Sequence, residues 1–334
     1  MQALRWLRLL LFCLGLSPLA ASAWDRGVVE RFATLPVGSP AAEGITADKA
    51  GNIYVATFDP SGQHPGQLIV FDPSGNLVRA KDIAGASTAL LGLDFHPKSG
   101  KLLVIDFGAG KVLTVDPVTG ASSVFATVTG SSGLNALTFD KEGNVYISDS
   151  FQGIIWKTGP RGGAATAWVT SPLLTTTGVP PFGANGLGFN KAFDTLYVAN
   201  TGNDTVVQIP VSHGNPGTPS VLTNSINGAD GLILDDDDNI WVCANQSDEL
   251  VVVDKTGKAI AKLGDFNGIS ERGEPRGFLF PASLVFSGEF VLVTNLSLDT
   301  SAFGFQTVDT GWSQQVKTFT LSKINRRIPP VHDD

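Results

Sequence analysis

Ala136-Leu-Thr-Phe-Asp-Lys-Glu-Gly-Asn-Val-Tyr-Ile147 reads as an apolar strand, a polar Asp/Gly/Asn turn and a second apolar strand. Apolar runs either side of a Gly/Asn turn are the signature of an antiparallel hairpin. The phrase occurs first as Gly44-Ile-Thr-Ala-Asp-Lys-Ala-Gly-Asn-Ile-Tyr-Val-Ala56. It returns at Gly92–Pro97 with Leu102–Ile105, at Gly186–Asn190 with Leu196–Ala199, and at Gly231–Asp235 with Ile240–Cys243. A weaker sixth copy runs from Ser283–Phe286 to Phe290–Val293. Successive copies start 44 to 52 residues apart, the span of a four-stranded propeller blade. Outer strands are visible too, as in Gln67–Asp72, the turn Pro73-Ser-Gly-Asn76, and Leu77–Arg79. The expectation is an all-β chain, one six-bladed β-propeller of four-stranded blades around a central channel, over residues 24–334. An unclosed ring would leave an exposed edge, so Val28–Ala33 and Val316–Leu321, at opposite ends of the chain, are expected to share a blade.

Residues 1–23 stand apart from this pattern. Arg5 and Arg8 precede the apolar run Leu9–Leu16, and Ala21-Ser-Ala23 has the small residues of a cleavage site. That is a signal peptide, too short to anchor in a bilayer, and it predicts a secreted or periplasmic protein with no membrane anchor after cleavage. Without this leader Cys243 is the sole cysteine, so no internal disulfide is expected despite export. The net charge of −8 argues against nucleic acid as a partner, because no basic patch is available for phosphate. A protein partner cannot be read from the sequence. Composition is that of a folded domain: 43% hydrophobic and 16% charged, with 38 glycines and 19 prolines among the apolar runs.

Function is sought at the position one residue before each first strand. There the six copies carry Glu43, Leu91, Asn135, Asn185, Asp230 and Ala282. Equivalent positions in a propeller share one height around the axis, so these six form a candidate ring at a channel mouth. Two carboxylates and two amides, without Cys, His or Met, suit a hard divalent cation, Ca²⁺ above others. The alternative is that Asn and Asp before Gly are ordinary turn residues. Pleat alternation, moreover, places these positions on the same face as Ile45, Leu137, Leu187 and Leu232.

With Glu43-Gly44, Asn135, Asn185-Gly186-Leu187 and Asp230-Gly231 each followed by strand, turn and strand, residues 40 to 300 resemble the family of senescence-marker, gluconolactonase and luciferin-regenerating proteins. The resemblance implies that Glu43, Asn185 and Asp230 bind one divalent cation, and that Asn135 contacts substrate or metal-bound water. It also implies that Asp230 is the candidate catalytic base. Two positions depart from the family. Gly133 stands where sugar-lactone members carry Arg, and Ile45-Thr-Ala47 replaces a Pro and an aromatic residue after Glu43-Gly44. The phrase is also similar to NHL-type repeats and to strictosidine-synthase-like propellers.

The function expected is an exported metal-dependent hydrolase of a small lactone or ester. The channel cation would polarise the carbonyl, with Asp230 as general base. Phe182, in the stiff loop Gly178-Val-Pro-Pro-Phe-Gly-Ala184, and Phe280, in Phe278-Leu-Phe-Pro281, are expected to form an apolar substrate wall. Two alternatives stand beside this reading. One is a non-catalytic ligand- or protein-binding propeller with a structural ion; the other is a metal-independent enzyme of the strictosidine-synthase or streptogramin-lyase type. No Gly-x-Ser-x-Gly elbow is present to supply a covalent nucleophile.

Overall fold

The computed structural model describes residues 25–328; the leader expected over 1–23 and the last residues of the chain lie outside them. Six antiparallel sheets, each built on four strands, surround a channel as a six-bladed β-propeller. The innermost strands are Ala41–Ala47, Leu90–Phe95, Leu134–Phe139, Ala184–Phe189, Ala229–Leu234 and Pro281–Ser287. Each packs against the next around the ring, the last against the first. The repeated phrase is the first and second strand of each blade.

The turn between those strands is fixed by its aspartate. Asp140 accepts from the backbone N–H groups of Glu142 and Asn144, and also from the Asn144 amide at 2.7 Å and the Tyr146 hydroxyl at 3.1 Å. Asp48 does the same with Ala50, Asn52 and Tyr54. Asp235 repeats it with Asp237, Asn239 and the Trp241 indole. An Asx turn whose second oxygen clips an aromatic of the next strand explains why Asp, Asn and an aromatic recur at fixed spacing. The acidic run Asp235–Asp238 is this turn.

The core is divided among the blade interfaces. One apolar cluster joins Tyr54 and Leu68 of blade one to Leu90 and Leu102 of blade two, and another joins Tyr146 of blade three to Leu196 of blade four. Each blade is therefore buried on both faces, which is why second strands read as apolar runs such as Leu102–Ile105. Cys243 is buried without a partner on the second strand of blade five.

The ring closes as expected. Blade six contains Pro281–Ser287, Phe290–Asn295 and Thr320–Asn325, and its outer strand is Glu30–Thr34 from the other end of the chain. Glu30 pairs with Lys323 and Thr34 with Thr320, antiparallel. The sequence reading did not anticipate the long excursion between the second and third strands of this blade. It carries a four-residue helical turn, Thr310–Ser313, and packs over one mouth of the channel.

Candidate functional site in the channel

Every blade has an irregularity at one place. The pairing of first and second strands shifts register between Ala42 and Ile45, Leu90 and Leu93, Leu134 and Leu137, Ala184 and Leu187, Ala229 and Leu232, and Pro281 and Leu284. The ring residues are the ones spanned by these shifts. A bulge re-aims a side chain out of the pleat's alternation, so Glu43, Asn135, Asn185 and Asp230 need not follow the face of Ile45 and its equivalents. The bulged backbone is itself held: Ala136 N donates to Ser148 Oγ at 3.0 Å, and Ser283 N to Thr294 Oγ1 at 2.9 Å. Gly186, after Asn185, lies within a strand and is not a turn glycine. A Cβ there would lie 2.6 Å from the Asp230 carbonyl oxygen of the neighbouring blade, so the close approach of inner strands requires glycine.

One small cavity of about 40 Å³ brings the sequence candidates together: Glu43, Asn135, Asn185, Asp230, Phe182 and Phe280 all line it. The four polar ones are 4–5% exposed. Phe58, Phe107, Thr201, Asn245 and Leu296 also line it, and sequence reasoning missed them. Each sits at the end of its blade's second strand or one residue beyond. The repeat alignment that found the first ring, applied to the second strand, would have found them.

The two rings are matched blade by blade. In blade five the Asn245 amide donates to Asp230 Oδ2 at 2.7 Å, and in blade four the Asn185 amide donates to Thr201 Oγ1 at 2.9 Å. The Thr201 hydroxyl in turn donates to the Ala229 carbonyl at 2.8 Å. In blade three the Asn135 amide lies 3.4 Å from Ser150 Oγ. Blades three, four and five are thus polar in both rings. Blades two and six are apolar in both, with Leu91 and Phe107, Ala282 and Leu296, while blade one sets Glu43 beside Phe58.

Two carboxylates share this enclosed space, and among the described residues no Lys, Arg or His forms an ion pair with either. Burial, then the charge of Asp230, holds Glu43 well above the ordinary carboxylate range. Burial pushes Asp230 up to about 7, against hydrogen bonds from Asn245 and Asn185 that favour its ionised form. Glu43 Oε2 is buried without a hydrogen-bond partner. Buried unpaired carboxylates take up a proton or a cation. An orphaned Glu oxygen, a second carboxylate and amide groups, with no Cys or His among them, fit a hard divalent cation. Glu43, Asn185 and Asp230 are the residues that would hold it.

Above the ring lies a sheet of phenylalanines. Phe58 contacts Phe107 and Phe303, Phe107 contacts Phe151 and Phe182, and Phe182 stacks on Phe151 at 6.0 Å. Gly133 belongs to this wall, since a Cβ on it would sit 2.6 Å from the Phe151 ring. An aromatic edge thus lies beside the position that the resemblance matched to an Arg. Phe280, 2% exposed, holds φ at +48°, a left-handed conformation that costs a bulky residue about 1–3 kcal/mol. Its N–H donates to Asp248 Oδ1 at 2.8 Å.

The three described histidines lie elsewhere. His64, half exposed in a loop, pairs with Asp59 at 2.9 Å. His96 is buried in a turn, held by the Gly143 carbonyl and by two backbone N–H groups. His213 is exposed.

Residues 135–264 match the SMP-30/Gluconolactonase/LRE-like region family. The comparison with curated proteins finds no match. Among solved structures, a luciferin-regenerating enzyme superimposes with a TM-score of 0.64 at 15% identity, over 90% of this chain and 95% of that one. A calcium-binding protein, regucalcin from Agrobacterium tumefaciens, gives 0.60 at 17% identity, over 91% and 99%. Virginiamycin B lyase from Staphylococcus aureus gives 0.59 at 10%, over 90% and 99%. These likenesses establish the fold.

Proposed function

We propose that this protein is an exported, cation-dependent lactonase or esterase acting on a small, apolar lactone or ester. The observation that carries the reading is the mixed lining of one cavity, where Glu43 and Asp230, without ion-pair partners among the described residues, meet Phe58, Phe107, Phe182 and Phe280. The family match over residues 135–264 supports lactone hydrolysis, and the calcium-binding relative supports a divalent cation. The Phe151 edge packed on Gly133 supports an apolar substrate, because it leaves no polar clamp for sugar hydroxyls.

A divalent cation held by Glu43, Asn185 and Asp230 would polarise the scissile carbonyl and stabilise the developing oxyanion. Asp230 takes the proton from the attacking water and returns it to the leaving alkoxide, giving the hydroxy acid from a lactone or the acid and alcohol from an ester. Asn245 aims that carboxylate through Oδ2. Asn135 offers an amide to a substrate oxygen, while the phenylalanine wall excludes bulk water. The cavity of about 40 Å³ is small beside a whole lactone, so a bound substrate has to displace Phe182, which lines it.

The test is pH-stat hydrolysis of a lactone panel after chelation and after Ca²⁺ is restored. Chelator-sensitive turnover that favours alkyl lactones is expected. Preference for aldonolactones would overturn the substrate class, and activity indifferent to chelator would overturn the cation. A folded protein that binds Ca²⁺ and turns nothing over would be a ligand-binding propeller.

A further inference from the structure

A second pair of buried carboxylates lies outside the channel. Asp248 closes the turn after the second strand of blade five, and Asp309 leads into the helical turn Thr310–Ser313 of the blade-six excursion. They are 7% and 5% exposed, and each carboxyl group acts on the other as its near neighbour. Among the described residues no Lys, Arg or His forms an ion pair with either. Asp248 has one donor, the Phe280 N–H at 2.8 Å. Asp309 Oδ2 is buried with no partner, and so is Ser313 Oγ, 6% exposed and one helical turn further on. Ser313 N donates to the Asp309 carbonyl at 2.9 Å, and residues four apart along a helical turn are neighbours, which sets the orphaned hydroxyl one turn from the orphaned carboxylate.

Like charges brought together in a buried place need something between them. The channel site does not use this pair, and nothing in the turn geometry requires two acids there. Burial and the neighbouring charge raise Asp248 to about 8, and burial raises Asp309 to about 6. The oxygens present are carboxylate and hydroxyl only, the donor set of a hard cation.

We propose that Asp248, Asp309 and Ser313 form a second divalent-cation site, of the Ca²⁺ class, that pins the blade-six excursion to blade five. Its placement gives it leverage on the channel. Asp248 also fixes the left-handed Phe280, whose ring lines the cavity, and Leu296 N binds the Phe280 carbonyl at 3.2 Å. An ion here would hold the phenylalanine wall and its covering loop in one arrangement without touching substrate.

The experiment is Ca²⁺ binding by equilibrium dialysis on the whole chelator-treated protein, with Asp309→Asn, Ser313→Ala and Asp230→Asn alongside. Two ions per wild-type chain are expected, falling to one in Asp309→Asn, with one of the two affinities weakened about tenfold in Ser313→Ala. Asp230→Asn should also bind one ion, at the affinity of the site lost in Asp309→Asn. Circular dichroism reports whether each variant is folded, and if Asp309→Asn is not, Ser313→Ala decides. Wild-type stoichiometry and affinities in the folded variants of this second site would overturn the proposal and leave a carboxyl pair sharing one proton. Unaltered binding in Asp230→Asn alone would count against the channel site and leave this one standing.

Discussion

Asn245 donates its amide to Asp230 Oδ2 at 2.7 Å, so the second strand of blade five aims the carboxylate that its first strand carries. A partner of this kind fixes a ligand's orientation, and its loss typically costs 10–100-fold in metal affinity. Asn245→Leu should therefore weaken Ca²⁺ binding by about that factor in calorimetric titration. The rising limb of the pH–rate profile should also move upward, because Asp230 loses a hydrogen bond that favours its ionised form. A residue that served packing alone would lower the melting temperature and leave the pH profile in place.

Stability of the metal-free protein should fall as pH rises. Asp230 is raised from 3.8 to about 7, so the folded chain binds more protons than the unfolded one in that window. Its contribution is complete below pH 4 and lost through pH 7, on the order of 4 kcal/mol. Glu43 acts in the same direction, and Asp248, raised to about 8, extends the loss upward. Melting curves with chelator from pH 4 to 8 should show the decline, and Ca²⁺ should abolish it by replacing the protons. Glu43→Gln should melt above wild type at pH 8 without metal, while losing Ca²⁺ binding and hydrolysis. A flat profile would contradict the unpaired carboxylates.

Gly186→Ala would place a methyl against the Asp230 carbonyl oxygen and the inner strand of blade five. Overpacking of this kind costs about 1–3 kcal/mol, and chemical denaturation should show it. Gly268 has nothing within 4 Å of a Cβ but holds φ at +90°, so Gly268→Ala separates backbone strain from crowding. Only the former substitution should also disturb Ca²⁺ affinity.

The pair Gly133 and Phe151 tests the substrate class. Gly133→Arg alone should destabilise the fold, since its Cβ meets the Phe151 ring, whereas Phe151→Ala makes room. The two substitutions should couple by about 0.5–3 kcal/mol. The double variant should gain aldonolactone turnover relative to alkyl lactones, as read from the ratio of kcat/KM values.

Much of this was legible before any coordinates. The blade count follows from one hairpin phrase repeated six times, with Asp48, Asp140 and Asp235 holding the turn in alternate blades. The first ring was legible for the same reason, since Glu43, Asn135, Asn185 and Asp230 occupy one repeat position. Thr201 and Asn245 stayed hidden because they follow apolar second strands and look like ordinary loop openings. Asp309 and Ser313 belong to an excursion with no repeat to align against.

The sequence by itself determined the architecture and the height at which chemistry gathers, because local hydrogen bonding and strand periodicity repeat with the chain. Tertiary structure decided which way those side chains point and what surrounds them. A bulge in the first strand of each blade released Glu43 and Asp230 from the face that alternation assigns, and ring closure brought residues nearly two hundred positions apart into one cavity. Only there, buried and, among the described residues, with no Lys, Arg or His paired to them, do two ordinary acids become a candidate site.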